Sequence, residues 1–176
     1  MLKGYHNWND RGRALVALHA FRLCSDVLQN YTIVIYSADN IVIEEAVLFS
    51  KETGIKTQIV PRHTNHDDIL ALHAQARVSI GLNTSDGISI SSLEAMVMGS
   101  LPIQSCTACA DEWIEHGVSG AIVPPEEPEV VAMWLRKALT DDAWVNQAAE
   151  LNWQTALARL DVEALAKQAV AMYSMV

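Results

Sequence analysis

The chain has 176 residues, of which 51% are hydrophobic and 19% are charged, and its formal net charge is −9. Such a length suits one domain whose core needs neither a disulfide nor a metal for stability. The acidic balance argues against nucleic acid or an anionic membrane surface as the main partner. The sequence holds no apolar run of membrane-spanning length, no signal peptide and only three cysteines, so we expect a cytoplasmic protein.

Strand-like apolar runs alternate with stretches of helical period along the sequence. The first half predicts these elements: a truncated strand ending near Lys3-Gly4, a helix around 12–29, a strand over 31–36, a helix over 41–53 closed by Gly54, a strand over 58–60, a helix over 67–76 and a strand over 78–82. The second half predicts a helix over 89–99, a strand over 101–104, a short helix over 111–116, a strand over 121–123, a helix over 130–139 and two closing helices over 142–159 and 162–174. Asp161 is the expected N-cap between the last two helices.

This alternation indicates a parallel sheet with helices on both of its faces. We therefore predict a doubly wound α/β fold with about six strands, in one domain that spans residues 1–176 and ends in closing helices over 141–176. Only two residues precede Lys3, so the first strand is expected to be truncated and the chain to be part of a larger protein.

The loop after the predicted strand 78–82 is the candidate site, because ligands of doubly wound sheets bind beyond the carboxyl ends of the strands. Gly87 permits a tight turn and a close approach of the backbone to a ligand. Asp86 and Glu94 supply carboxylates, which are pure acceptors and can hold vicinal hydroxyls. Backbone N–H groups at a helix N-terminus favour a phosphate, and here they belong to Ile88, Ser89, Ile90 and Ser91.

A purely structural explanation of the same loop stays open. Ser85-Asp86-Gly87 is a common turn sequence. Ser91 and Glu94, three residues apart, also have the spacing of a capping box, in which the serine would be the N-cap of the helix.

The order of residues around this loop resembles a known family. The pattern consists of Asp86, then Glu94 after seven intervening residues, then Ala95-Met96, Gly99 and Pro102-Ile103. It resembles the donor-binding half of GT-B glycosyltransferases, in particular the large retaining family four, the glycosyl transferases group 1. Further stretches agree with that family in order: Lys3-Gly4 to Phe21, Leu70 to Ser79, Glu112-Trp113-Ile114 through Gly117 and Gly120 to Val123-Pro124, and Asn152-Trp153 with Tyr173. The resemblance covers nearly the whole chain.

The resemblance implies roles for the residues of the loop. The chain would be the Rossmann-like C-terminal half of such an enzyme, and Asp86 would bind hydroxyls of the donor sugar. Gly87 and the N–H groups of 88–90 would lie beside the sugar and the diphosphate. Glu94 would accept hydrogen bonds from the ribose hydroxyls, and Ser91 would touch the ribose or a phosphate. Most of the family has Glu at the position of Asp86, whereas a subset has Ser-Asp-Gly there, so the match holds and the shorter side chain leaves room for a different position of the sugar.

The family also places two basic residues on the diphosphate. The resemblance makes Lys3 the first candidate and Arg13 the second, with Arg11 close behind. These cations would offset the charge of the leaving nucleotide diphosphate, so no metal and no cofactor besides the nucleotide-sugar donor is expected. The acceptor site and a catalytic histidine of the family belong to an N-terminal domain, which is absent from this chain.

The function implied is that of a glycosyltransferase domain that binds a nucleotide-diphosphate sugar, UDP-linked or otherwise. The whole enzyme would transfer a hexose-type residue, with retention, to a saccharide or lipid-linked acceptor, as in polysaccharide biosynthesis, and the chain alone would have little activity. Two alternatives stay open: a non-transferring GT-B relative such as a nucleotide-sugar epimerase, and a degenerate nucleotide-binding module without catalysis.

Two groups of polar residues outside this loop have weaker functional interpretations. Cys106 and Cys109 have the spacing of a redox or metal pair, but the chain has no second pair, and we expect an incidental loop pair. His63 and His66, near Asp67 and Asp68, suggest a metal cluster as one interpretation, but we expect residues 62–65 to form a polar loop that ends at a helix N-terminus. In the resembling fold this loop lies near the nucleotide base, so Arg62 or His63 is a candidate contact for that base.

Two of the tryptophans are expected to have structural roles, and one is a weak candidate for a functional role. Trp134 and Trp144 lie in helical patterns and are expected to pack between helices. Trp8 lies in the first loop beside His6 and Asn7, which makes it a weak candidate for the acceptor cleft.

Overall fold

The computed structural model describes residues 1–4 and 11–174, apart from the side chain of Lys3. The strands are β1 (Leu2–Lys3), β2 (Thr32–Tyr36), β3 (Lys56–Ile59), β4 (Val78–Gly81), β5 (Leu101–Ser105) and β6 (Ala121–Val123). The α-helices are α1 (Ala14–Leu23), α2 (Asn40–Thr53), α3 (His66–Gln75), α4 (Ile90–Val97), α5 (Pro128–Thr140), α6 (Asp142–Arg159) and α7 (Val162–Tyr173), and a 3-10 helix covers Ala110–Glu112.

The six strands form one parallel sheet in the order β3-β2-β1-β4-β5-β6. Leu2 of β1 pairs with Ile35 of β2 on one side and with Ile80 of β4 on the other. Chain progression reverses direction between β1 and β4, which makes this the topological switch point of the sheet. The structure therefore confirms the doubly wound α/β fold.

Helices cover both faces of the sheet. On one face α1 packs against α2 and α5, and on the other α4 packs against α3 and α6. Every residue of β4 and β5 is buried, as expected for parallel strands between two helical layers. The centre of the core is formed by fully buried apolar side chains, among them Leu2, Leu18, Ile35, Phe49 and Ile103.

Several predicted helix boundaries are confirmed by the residues that end or begin the helices. Gly54 ends α2 with φ +75°, a left-handed conformation that glycine adopts without a steric penalty. The Asp161 carboxylate accepts a hydrogen bond of 2.8 Å from the backbone N–H of Ala164 and so caps α7.

The first helix is shorter than its apolar periodicity predicts. It ends at Leu23 instead of continuing to about residue 29. A guanidinium from α5 explains this end, because Arg136 donates to the Leu23 carbonyl at 3.0 Å and to both carboxylate oxygens of Asp26 at 2.7 Å. The carbonyl left without an intrahelical partner at the end of α1 is thereby satisfied, and the next residues form turns.

Other boundaries also differ from the prediction, among them the start of α5 at Pro128 and the end of α4 at Val97. The short helix expected over 111–116 is a single 3-10 turn over Ala110–Glu112, and Ile114 after it is buried. β3 begins two residues earlier than expected, at Lys56, and pairs there with Thr32 of β2.

The closing helix α7 is unlike the others because none of its residues is buried. Its apolar side chains are exposed to solvent, with Tyr173 at 85%. In the described part of the chain, no helix combines the length and the apolar character needed to cross a membrane.

Candidate functional site

The candidate site lies at the carboxyl edge of the sheet, in the loop that joins β4 to α4. The end of β5 fixes the start of this loop. The Ser105 hydroxyl donates to the carbonyl of the buried Asn83, and Thr107 Oγ1 donates to the same carbonyl at 3.0 Å. The loop is thus anchored to the neighbouring strand before it reaches the predicted ligand-binding residues.

Asp86 is half-buried at the middle of this loop. The side-chain amide of Asn83 donates to Asp86 Oδ2 at 3.2 Å. One N–H satisfies one of the roughly four acceptor positions of a carboxylate, so this contact orients the group and leaves it able to accept from a ligand. Beside it, Gly87 faces open space: a β-carbon there would meet no described atom within 4 Å.

The helix α4 begins at Ile90 and its N-cap is Ser89. Ser91 is therefore the second residue of the helix rather than its cap, and the capping-box alternative for Ser91 and Glu94 is wrong. The N-terminus of α4, with the partial positive charge of the helix dipole, follows directly after Gly87 and Ile88.

Glu94 lies one turn inside α4, and its side chain is only 14% exposed. It faces α3, where two histidines approach its carboxylate. The Nε2 atom of His66 lies 3.4 Å from Oε1, and the Nε2 atom of His73 lies 3.9 Å from Oε2. The Glu94 carboxylate is thus mostly enclosed, near the N-terminus of α4 at the carboxyl edge of the sheet.

His73 belongs to this site although the sequence analysis did not select it. The ring is 1% exposed, and its Nδ1 lies 3.0 Å from the hydroxyl of Ser79, which in turn lies 2.8 Å from that of Ser100. Burial lowers the pKa of His73 to about 4, and the positive charge of the N-terminus acts in the same direction. The available signal was its spacing of seven residues from His66, which puts both rings on one face of α3.

The predicted basic residues lie near the loop to different degrees. The carbonyl of Arg11 accepts a hydrogen bond of 2.7 Å from the backbone N–H of Thr84, so the segment before α1 runs beside the β4–α4 loop. Arg13 makes an ion pair of 2.5 Å with Glu126 in the loop after β6. The Lys3 side chain lies outside the described part of the structure, so its contact with a diphosphate stays a prediction.

The polar loop after β3 is tied to the loop after β2. Arg62 donates from Nε and Nη2 to the carbonyl of Ala38, at 3.2 and 3.0 Å. His63 next to it is exposed. The predicted contact of Arg62 or His63 with a nucleotide base is not tested by this geometry.

The remaining candidates lie outside the site or outside the described residues. Cys106 and Cys109 are exposed free thiols. Within residues 1–4 and 11–174, no group of three or more His, Cys, Asp or Glu side chains is arranged to hold a metal ion. The rings of Trp134 and Trp144 pack 5.6 Å apart, as predicted, whereas Trp8 with its neighbours His6 and Asn7 lies outside the described residues.

Solved structures with the same fold come from several bacteria. Anabaena HepE, solved with UDP-glucose, superposes with a TM-score of 0.80 at 18% identity, over 99% of this chain and 48% of that protein. A glycosyltransferase of Rickettsia africae superposes with a TM-score of 0.78 at 18% identity, over 99% of this chain and 46% of that protein. The C-terminal domain of LpcC, a glycosyl transferase group 1 family protein of Francisella tularensis, superposes with a TM-score of 0.74 at 14% identity, over 92% of this chain and 86% of that protein. The chain thus spans about half the length of the first two.

Sequence comparison identifies the family directly. No curated protein matches the chain at a significant level. The family model of the glycosyl transferases group 1, however, matches residues 14–154, which include α1, the β4–α4 loop and most of α6. The matched region is well over half of the chain and contains Asp86, Gly87 and Glu94. The chain therefore belongs to the glycosyl transferases group 1 family.

Proposed function

We propose that this chain is the donor-binding domain of a retaining glycosyltransferase and that it binds a nucleotide-diphosphate sugar in the cleft at the carboxyl edge of its sheet. The observation that carries this proposal is the enclosed Glu94 carboxylate one turn inside α4, with Asp86 and Gly87 at the mouth of the preceding loop. Family membership and the UDP-glucose complex of the similarly folded HepE support it.

In this proposal Glu94 accepts hydrogen bonds from the 2′- and 3′-hydroxyls of the ribose. The diphosphate lies over Gly87 at the N-terminus of α4, where Ile88, Ser89, Ile90 and Ser91 present their backbone N–H groups. Asp86, oriented by Asn83, binds hydroxyls of the sugar.

Cationic side chains stabilise the charge that develops on the leaving diphosphate. Lys3 and Arg13 are the proposed cations, with Arg11 as the alternative to Arg13. Because Arg13 is paired with Glu126, a phosphate would have to compete with that carboxylate for the guanidinium. The proposed reaction needs no metal ion, since the helix N-terminus and these cations supply the positive charge.

Titration calorimetry with UDP, GDP and ADP tests the donor site. We expect saturable binding of one of them, and Glu94→Gln to weaken it about tenfold, because a hydrogen bond to a charged acceptor contributes about 1.5–3 kcal/mol. Glu163→Gln on the exposed helix α7 is the matched control and should bind as the unchanged chain does. Equal nucleotide affinity of Glu94→Gln and the unchanged chain would contradict the proposed contact of Glu94 with the ribose. Absence of binding of any of the three nucleotides would contradict the donor site itself.

The isolated chain is expected to transfer little sugar. We propose that a separate N-terminal domain binds the saccharide or lipid-linked acceptor and supplies the remaining catalytic groups. Incubation of the chain with UDP-glucose and a panel of saccharides, followed by chromatography of the products, should show at most slow hydrolysis of the donor. Substantial glycoside formation would show that the acceptor site lies within these 176 residues.

A further inference from the structure

Glu94 is held between two histidines of one helix. His66 and His73 lie two turns apart on the same face of α3, and their Nε2 atoms approach opposite oxygens of the Glu94 carboxylate. The two rings differ in their surroundings, because His66 is 64% exposed and His73 is 1% exposed. A side chain as exposed as His66 can turn into solvent, whereas the His73 ring is fixed by packing, with Tyr36 edge-on to it at 5.8 Å.

The Nε2 atom of His73 is buried and has no hydrogen-bond partner among the described residues. Buried polar atoms in native proteins are nearly always paired, so an orphaned ring nitrogen calls for an explanation. The distance from His73 Nε2 to Glu94 Oε2 is 3.9 Å, less than 1 Å longer than a hydrogen bond. A small rotation of the carboxylate would bring the two atoms together.

We propose that His73 is the positioning residue of Glu94, donating a hydrogen bond from Nε2–H to Oε2 and thereby aiming the remaining acceptor positions of the carboxylate at the ribose hydroxyls. This inference rests on the proposed binding of a nucleotide in this cleft. Nothing in the family motif around Glu94 specifies the histidine, since it lies on another helix twenty-one residues earlier in the chain.

The hydroxyls on the other side of the ring are compatible with the required tautomer, and the Glu94 carboxylate favours it. Ser79 Oγ lies within hydrogen-bonding distance of both His73 Nδ1 and Ser100 Oγ. When Ser79 accepts from Ser100 and donates to Nδ1, the ring proton resides on Nε2 and faces the carboxylate. The opposite tautomer would turn the bare lone pair of Nε2 toward a carboxylate oxygen, which is repulsive.

A neutral donor suits this task better than a cation. Burial keeps the pKa of His73 near 4, so the ring carries no charge at neutral pH. A neutral N–H occupies one acceptor position of Glu94 without cancelling its negative charge, and the carboxylate keeps its strength as an acceptor for two hydroxyls.

A comparison of two ligands separates positioning from a merely structural role. The probes are UDP, or whichever of the three diphosphates the chain binds, and its 2′,3′-dideoxy analogue, which lacks the hydroxyls that Glu94 would hold. We expect the unchanged chain to prefer the ribose form about tenfold. His73→Leu should reduce that preference at least threefold while affinity for the dideoxy form changes less than twofold. His73→Gln, which places an amide N–H near the same position, should retain most of the preference.

The outcomes distinguish this inference from the proposed function. A preference for ribose that survives in His73→Leu, or equal weakening of both ligands, would overturn the role of His73 and leave Glu94 in place. Absence of any ribose preference in the unchanged chain would contradict the role of Glu94 as well.

A second measurement needs neither a ligand nor a variant. A long-range ¹H–¹⁵N spectrum of the unchanged chain reports which ring nitrogen of His73 carries the proton. We expect the neutral Nε2–H tautomer, and a proton on Nδ1 would overturn the inference even if His73→Leu fails to fold.

Discussion

Replacement of Phe49 by alanine is expected to lower the free energy of unfolding by about 3–5 kcal/mol, the usual cost of removing a fully buried aromatic ring. Phe49 lies on α2 and has no solvent exposure. Its ring meets that of Phe21 on α1 edge-to-face, with centroids 6.3 Å apart, and the Arg22 guanidinium lies 5.7 Å from its centre. The substitution therefore removes the buried aromatic contact between α1 and α2.

Chemical denaturation of the unchanged chain and of Phe49→Ala measures this effect. A matched control is available one residue earlier, because Leu48 on the same helix is 48% exposed. Leu48→Ala should cost less than about 1 kcal/mol, as surface substitutions usually do. Natural domains have a total stability of only about 5–15 kcal/mol, so the loss expected for Phe49→Ala is a large share of it. A loss no larger than that of Leu48→Ala would contradict the packing described for Phe49.

Acidification is expected to destabilise the fold through His73. Burial lowers the pKa of this ring to about 4 in the folded chain, from an ordinary value of 6.5. Between these values the unfolded chain binds a proton that the folded chain does not, so stability is lost as the pH falls from 6.5 to 4. A difference of this size corresponds to about 3 kcal/mol, all of it present above pH 6.5.

The measurement compares the free energy of unfolding at pH 7 and pH 4 in the unchanged chain and in His73→Gln. The side chains of Glu94 and His66 and the amino group of Met1 lie near this ring in both chains, so the two chains are matched for these groups. The unchanged chain should lose about 3 kcal/mol more than the variant. Parallel losses in the two chains would show that His73 is protonated as easily in the fold as in the unfolded chain.

The sequence predicts the elements of this fold well because the apolar pattern and the end residues of the helices are local. Gly54 ends α2 and Asp161 caps α7 through contacts with residues next to them in the sequence, so their roles can be predicted without the rest of the chain. The end of α1 could not be predicted in this way. It depends on Arg136, more than one hundred residues later, which supplies the hydrogen bond that lets the helix stop at Leu23.

The candidate site divides in the same manner. Asp86, Gly87 and Glu94 lie within nine residues of one another, and their order carries the family resemblance. The alternative capping role of Ser91 was excluded only by the observed start of α4. The contacts of His73 with Ser79 and Glu94 depend on how α3 packs against β4 and α4, which no short motif records.

The arrangement of the first strand and the first helix has a consequence for synthesis of the protein. β1 lies in the middle of the sheet and acquires its second neighbour, β4, only after residue 81 has been made. The buried face of α1 packs against α5, which ends at residue 140. A nascent chain shorter than this would leave the apolar face of α1 partly uncovered as it leaves the ribosome. The fold is therefore complete only after α5, which ends at residue 140, has left the ribosome, and until then part of the apolar surface of the nascent chain stays exposed.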